Sequence, residues 1–142
     1  MKILLAVDGS KSAMRAVDCL IEHADWYRDK PVVELVTVHL PVPKLPNMGL
    51  VVSKRQLDAY YRDEGRAALT KAMKKLDAAG IPFYERILVG PVAETLVAHA
   101  RERRCDLILV GTRGMSAAAN MLMGSTATKV LHLSKIPVML VK

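Results

Sequence analysis

Asp106–Thr126 reads DLILVGTRGMSAAANMLMGST. It opens as an uninterrupted apolar run, Asp106–Val110, the pattern of a strand covered on both faces. Gly111 and Gly114 follow, then nine residues, then Gly124-Ser125, which starts a helical segment running to about Ser134. A plain connection needs fewer glycines. Glycine lets the chain turn sharply and lets backbone approach a ligand with no Cβ in the way. A helix start offers unpaired N–H groups and the positive end of the helix dipole, a ready anion site. The Ser125 hydroxyl adds a donor. G-x2-G-x9-G-S therefore reads as two backbone approaches plus one helix-terminus phosphate site, set between a strand and a helix.

The same alternation extends in both directions. Lys2–Val7 (KILLAV) is a short apolar strand ended by the turn Asp8-Gly9-Ser10. Ser10 caps a helix whose apolar stripe is Ala13, Val17, Leu20, Ile21 and Ala24. Val32–Val38 is a β-branched second strand, and residues 39–50, with three prolines, form a loop. One long helix spans about Ser53 to Ala79, with Gly80 and Pro82 stopping it. Phe83–Val89 is the third strand. Gly90-Pro91 opens the next helix with Pro at its first position. Ile136–Val141 is the last strand, and Pro137 confines its early part to a strand start or an edge. The order β-α-β-α-β-α-β-α-β predicts an α/β fold of three layers, a parallel sheet between two layers of helices. Ligands of such folds sit beyond the carboxyl ends of the strands, where the strand order reverses. That places the site at Asp8-Gly9-Ser10 and at Gly111 onward.

The bulk properties narrow the partners. A chain of 142 residues predicts one domain over 1–142 with a core of its own. No segment approaches a membrane span and no secretory leader is evident, so a cytoplasmic protein is expected. Cys19 and Cys105 are too far apart in sequence for a CxxC and read as small buried residues. His23, His39, His99 and His132 share no metal-ligand spacing and read as structural or surface residues, His39 being nearest to the expected site. The net charge of +7 favours anionic partners, but six aromatics without basic interleaving count against a specific nucleic-acid surface. There is no GxxxxGK[ST] loop and no GxGxxG after the first strand, which removes the P-loop and the dinucleotide fingerprint.

The whole chain resembles the single-domain universal stress proteins. The resemblance is carried by KILLAVDGS at the start, GTRG…GS in the fourth βα loop, and ATKVLHLSKIPVMLVK at the end. The spaced G-x2-G-x9-G-[ST] is similar to that of the ATP-binding branch. The resemblance implies five parallel strands in the order 3-2-1-4-5, a Rossmann-like adenine-nucleotide fold, and a homodimer formed through the last strand. It also implies roles. Ala6, Val7 and Asp8 would line the adenosine side, with the Asp8 carboxylate near the ribose. The backbone of Val38 would read the adenine edge, and Val110 and Gly111 would pack beside the ribose. Gly114, Gly124, Ser125 and the backbone of Thr126 would hold the phosphates, with a divalent Mg2+ or Mn2+ among them. Many relatives carry arginines at the positions of Met115 and Asn120, a larger apolar residue at Ala118 and a hydroxyl at Ala127. Their absence here favours weaker phosphate binding or a nucleotide with fewer phosphates; ATP is the ligand expected, with AMP or ADP as alternatives.

Several residues keep two readings. Asp8 suits a ligand or a turn, and Ser125 a phosphate or a helix cap. Arg113, the one charged residue between Gly111 and Gly124, suits a phosphate or solvent. Lys11 and Arg15 read as surface residues. Met115, Met121 and Met123 read as flexible packing over the site or against a partner. The function expected is a nucleotide-binding stress-response regulator. A phosphoryl-transfer site needs charge neutralisation and a group that positions water. The loop supplies one Arg and no carboxylate, so efficient ATP hydrolysis is not expected. A slow ATPase and a nucleotide-free interaction module are the alternatives.

Overall fold

The computed structural model describes residues 1–43, 53–115 and 123–142. The part of the expected loop over 44–50, and Ala118, Asn120 and Met121, lie outside the described residues. The elements are β1 (Lys2–Ala6), α1 (Lys11–Glu22), a 3-10 turn (Ala24–Trp26), β2 (Val32–His39), α2 (Lys54–Ala78), β3 (Phe83–Val89), α3 (Val92–Glu102), β4 (Leu107–Gly111), α4 (Ser125–Leu133) and β5 (Val138–Val141). The strands form one parallel sheet in the order β3-β2-β1-β4-β5, as expected.

Strand pleating separates two cores. Ile3 and Leu5 of β1, with Leu35 and Leu109, face Val17 and Leu20 of α1 and Leu69 and Leu76 of α2. Leu4, Val36 and Ile108 face Leu96 and Ala100 of α3 and Val130 of α4. Each fully buried leucine contributes about 1.5–3 kcal/mol. The cores therefore fix α1 and α2 on one face and α3 and α4 on the other. The strand order reverses between β1 and β4.

Helix ends follow local chemistry. The Ser10 hydroxyl accepts from Ala13 N at 3.1 Å and caps α1. Ser53 and Gln56 form a reciprocal capping box at α2. After α2, Gly80 adopts φ +64°, the left-handed conformation that closes a helix. Several boundaries differ from the expectation: β1 ends at Ala6 rather than Val7, and β4 runs over Leu107–Gly111 rather than Asp106–Val110, so that Gly111 is its last residue. α1 ends at Glu22, and Ala24 lies in the 3-10 turn beyond it, where it still packs on the core. His39 closes β2 rather than opening the loop, its carbonyl accepting from Gly90 N at 2.9 Å. Pro91 is the N-cap of α3 rather than its first residue; its carbonyl accepts from Thr95 N. β5 begins at Val138, because Pro137 has no N–H to give the ladder, although its carbonyl accepts from Ile108 N at 2.9 Å. No described helix is long and apolar enough to cross a membrane.

Candidate functional site

A cleft of about 700 Å3 opens at the carboxyl ends of β1, β2 and β4, within the ordinary size range of small-molecule sites. Ala6, Val7, Asp8, Val38, Val110, Gly111, Arg113, Gly114, Gly124, Ser125 and Thr126 all line it. Residues 100 positions apart meet there because β1 and β4 are paired neighbours at the reversal of strand order.

The start of α4 faces this cleft. Gly124 is its N-cap, with no side chain to satisfy the first turn, and Gly124 N donates to Thr112 O at 2.7 Å. Among the described residues no acceptor takes the N–H groups of Ser125, Thr126 or Ala127. Three donors at a positive helix end are thus left for a ligand or water. Ser125 is the first helical residue and not the cap, which removes the alternative reading of its hydroxyl.

The Asp8 carboxylate has a dual position. Oδ1 accepts from Ser10 N at 2.9 Å, and Oδ2 accepts from Met115 N at 3.1 Å. It therefore joins the β1 turn to the β4 loop, while an ionised carboxylate keeps further lone pairs for a ligand hydroxyl. Gly111 has a role the sequence did not reveal. A Cβ there would lie 2.6 Å from Ser12 C and 2.7 Å from Ser12 O, so its missing side chain lets β4 approach α1. The expected backbone approach to a ligand is not what demands glycine at this position. At Gly114 a Cβ would meet Asp8 Oδ2 at 2.9 Å, whereas at Gly124 the nearest atom is Thr112 O at 3.4 Å. The fold accepts a side chain at Gly124 more readily than at the other two.

Several contributors were missed. Ser12, 3% exposed, accepts from Arg113 N at 3.2 Å and reaches Val141 O at 3.5 Å, anchoring the β4 loop to α1 and β5. Ser10 Oγ donates to Arg113 O at 3.3 Å. Glu64, Ala67 and Ala68 of α2 close one wall, and Thr37, His39, Val92, Leu96 and Thr112 also line the cleft. The Thr112 hydroxyl and His39 Nε2 are buried with no partner among the described residues. Buried polar atoms are normally satisfied, so two orphans on the lining fit a polar ligand. His39 is thereby the one histidine at the site, whereas His23 and His132 bond backbone carbonyls of their own helical turns. Met115 is exposed and lines the cleft, in keeping with its reading as cover; Met123 is half-buried.

Away from the cleft, Glu34 is 2% exposed, with one histidine and two arginines around it. Its Oε2 lies 3.3 Å from His99 Nε2, 3.4 Å from Arg86 Nε and 3.9 Å from Arg103 Nε. Burial, with the nearby Glu34 carboxylate, pushes the Cys105 thiol up to about 11, so it stays protonated and unreactive at neutral pH. Cys19 is half-buried rather than buried as expected. Among the described residues no group of three or more His, Cys, Asp or Glu is placed to hold a metal ion.

Comparison with known proteins fits this geometry. The sequence model of the Universal stress protein family matches residues 1–142. The chain is 30% identical to Universal stress protein MJ0531 of Methanocaldococcus jannaschii, covering 99% of this chain and 81% of that protein. It is also 30% identical to Universal stress protein YxiE of Bacillus subtilis, over 99% and 98% of the two chains. Among solved structures, a universal stress protein in complex with cAMP superposes with a TM-score of 0.71 at 29% identity, over 100% of this chain and 97% of the other.

Proposed function

Because the chain belongs to the universal stress protein family, we propose that its cleft binds an adenine nucleotide and that the protein acts as a nucleotide-responsive regulator rather than an efficient catalyst. The observation that carries this reading is the unoccupied donor set at α4. Ser125, Thr126 and Ala127 present N–H groups that have no acceptor among the described residues, at the mouth of a cleft whose inner wall is apolar. An anion belongs at the first and a flat base against the second. The cAMP complex of a relative 29% identical over the whole chain supports the ligand class.

The base lies beside Val38, where Thr37 and His39 supply polar atoms, and the ribose lies between Asp8 and Val110-Gly111. Phosphates rest on Gly114, Gly124, Ser125 and Thr126, with Arg113 as the nearest cation of the loop. ATP, ADP and AMP all satisfy this arrangement. A divalent ion such as Mg2+ or Mn2+ would be held through the phosphates, with Asp8 as the adjoining carboxylate. Slow turnover is expected at most, because both Asp8 oxygens already accept backbone N–H groups and, among the described residues, no charged side chain is paired with them. β5 is an edge strand, each of whose residues is only half-buried. Pairing of two copies through it would cover that edge, which supports a homodimer. A cytoplasmic location completes the reading.

Ser125→Pro tests the cradle. Proline is favoured at the first helical position and removes the N–H and the hydroxyl together. Gly124, with φ −75° and ψ 157°, already has the conformation that precedes proline. Calorimetric titration should show ATP affinity falling about tenfold or more, since hydrogen bonds to charged groups are worth about 1.5–3 kcal/mol. The melting temperature should not fall. Equal ATP affinity in variant and parent would remove the cradle from the site.

A further inference from the structure

We propose that Lys11, Arg15 and Arg113 form a second anion subsite beside the cleft, which takes the distal phosphates of a nucleotide polyphosphate. The proposal rests on the nucleotide reading above and extends it to residues of α1. A shallow pocket of about 300 Å3 lies on the α1 side of the Gly111–Gly114 turn, lined by Ser10, Lys11, Ser12, Arg15, Arg113 and Gly114. Arg113 and Gly114 line both this pocket and the cleft, so the two spaces adjoin across the turn.

The placement of the cations is costly without an anion. Lys11 is the first residue of α1, where the helix dipole disfavours positive charge, and the first turn contains no acidic residue. Arg15 lies one turn later on the same face, and like charges at that spacing repel. No carboxylate lies within ion-pair distance of Lys11, Arg15 or Arg113 among the described residues. Asp8, in the turn before α1, has both oxygens engaged by Ser10 N and Met115 N. Asp18, further along α1, is paired with Lys75. Residues 44–52 and 116–122 contain no Asp or Glu, so they cannot supply the missing charge.

The two serine hydroxyls of the pocket are already committed. Ser10 Oγ serves Ala13 N and Arg113 O, and Ser12 Oγ serves Arg113 N and Val141 O. The side chains left to recognise a ligand are therefore those of the three cations. Three positive charges flanking a cleft whose far end cradles a first phosphate match a polyphosphate chain crossing Gly114.

The test titrates AMP, ATP and inorganic tripolyphosphate into the parent and the Lys11→Ala/Arg15→Ala variant by calorimetry. Both side chains are exposed, so the fold is not at risk; relief of their repulsion should hold or raise the melting temperature. The expected result is a loss of about tenfold for ATP and for tripolyphosphate, with AMP changed less than about twofold, and a loss that shrinks as salt rises. Unchanged ATP affinity in the variant overturns the subsite. So does an equal loss for AMP and ATP, which would mark general attraction by net charge. If the parent binds tripolyphosphate through Lys11 and Arg15 but binds neither nucleotide, the nucleotide reading falls, and with it the assignment to distal phosphates. Tripolyphosphate alone thus separates failure of the subsite from failure of the cleft.

Discussion

Gly111→Ala should destabilise the protein by about 3 kcal/mol, at the upper end of overpacking costs. The new Cβ would lie 2.6 Å from Ser12 C and 2.7 Å from Ser12 O, and backbone at the start of a helix cannot swing aside as a flexible side chain can. Moving α1 outward would break the bonds from Ser12 to Arg113 and Val141. It would also strain the packing of Ala13, Ala16 and Val17 on the sheet. Urea unfolding should therefore show a lower midpoint with an unchanged slope. Gly124→Ala is the internal control. Among the described residues its Cβ meets nothing closer than 3.4 Å, so its stability should stay within about 1 kcal/mol of the parent, the cost of a modest surface change. A Gly111→Ala variant as stable as the parent would show that β4 and α1 are not packed as described.

Glu34→Gln should cost about 2–4 kcal/mol, somewhat below the full range for breaking a buried ion pair. Arg86 and Arg103 are one-third and two-fifths exposed and can partly reach water, which moderates the loss. The amide keeps the shape of the side chain but withdraws the negative charge that faces Arg86, His99 and Arg103. A second reading comes from Cys105. Its thiol is raised by burial first and by the Glu34 carboxylate next. Removing that carboxylate should lower it from about 11 and speed alkylation at alkaline pH. Slower or unchanged alkylation, with unchanged stability, would contradict the described cluster.

The fold was largely legible because its signals are local. Apolar runs such as KILLAV and DLILV, the Ser10 cap, and the stops at Gly80 and Pro82 each act within a few residues, and their alternation specifies the layers. Strand order came through resemblance to a family rather than through these signals, and the sheet carries that order. The glycine loop likewise pointed to the end of β4, and all eleven candidate residues line the cleft found there. What stayed hidden depends on partners distant in sequence. Gly111 looked like a ligand-approach glycine, because nothing nearby shows that Ser12 lies against it across the sheet face. Glu34 looked like one polar position in VVELVTV; its partners Arg86, His99 and Arg103 lie on β3, on α3 and just beyond α3. Glu64, Ala67 and Ala68 read as ordinary helix positions until α2 is seen to wall the cleft. Lys11 and Arg15 looked like solvated charges, and only the pocket they share with Arg113 separates them from other surface cations.

The nucleotide reading places an adenine nucleotide in the cleft between β1, β2 and α4. Amide chemical-shift mapping of the labelled protein during an AMP titration tests it most directly, because it reports each backbone N–H separately. Saturable shifts are expected at Ser125, Thr126 and Ala127, whose N–H groups have no acceptor among the described residues, together with Val38, Gly111 and Gly114. Shifts confined to Lys11, Arg15 and the other basic surface residues, or no saturable shifts at all, would contradict it.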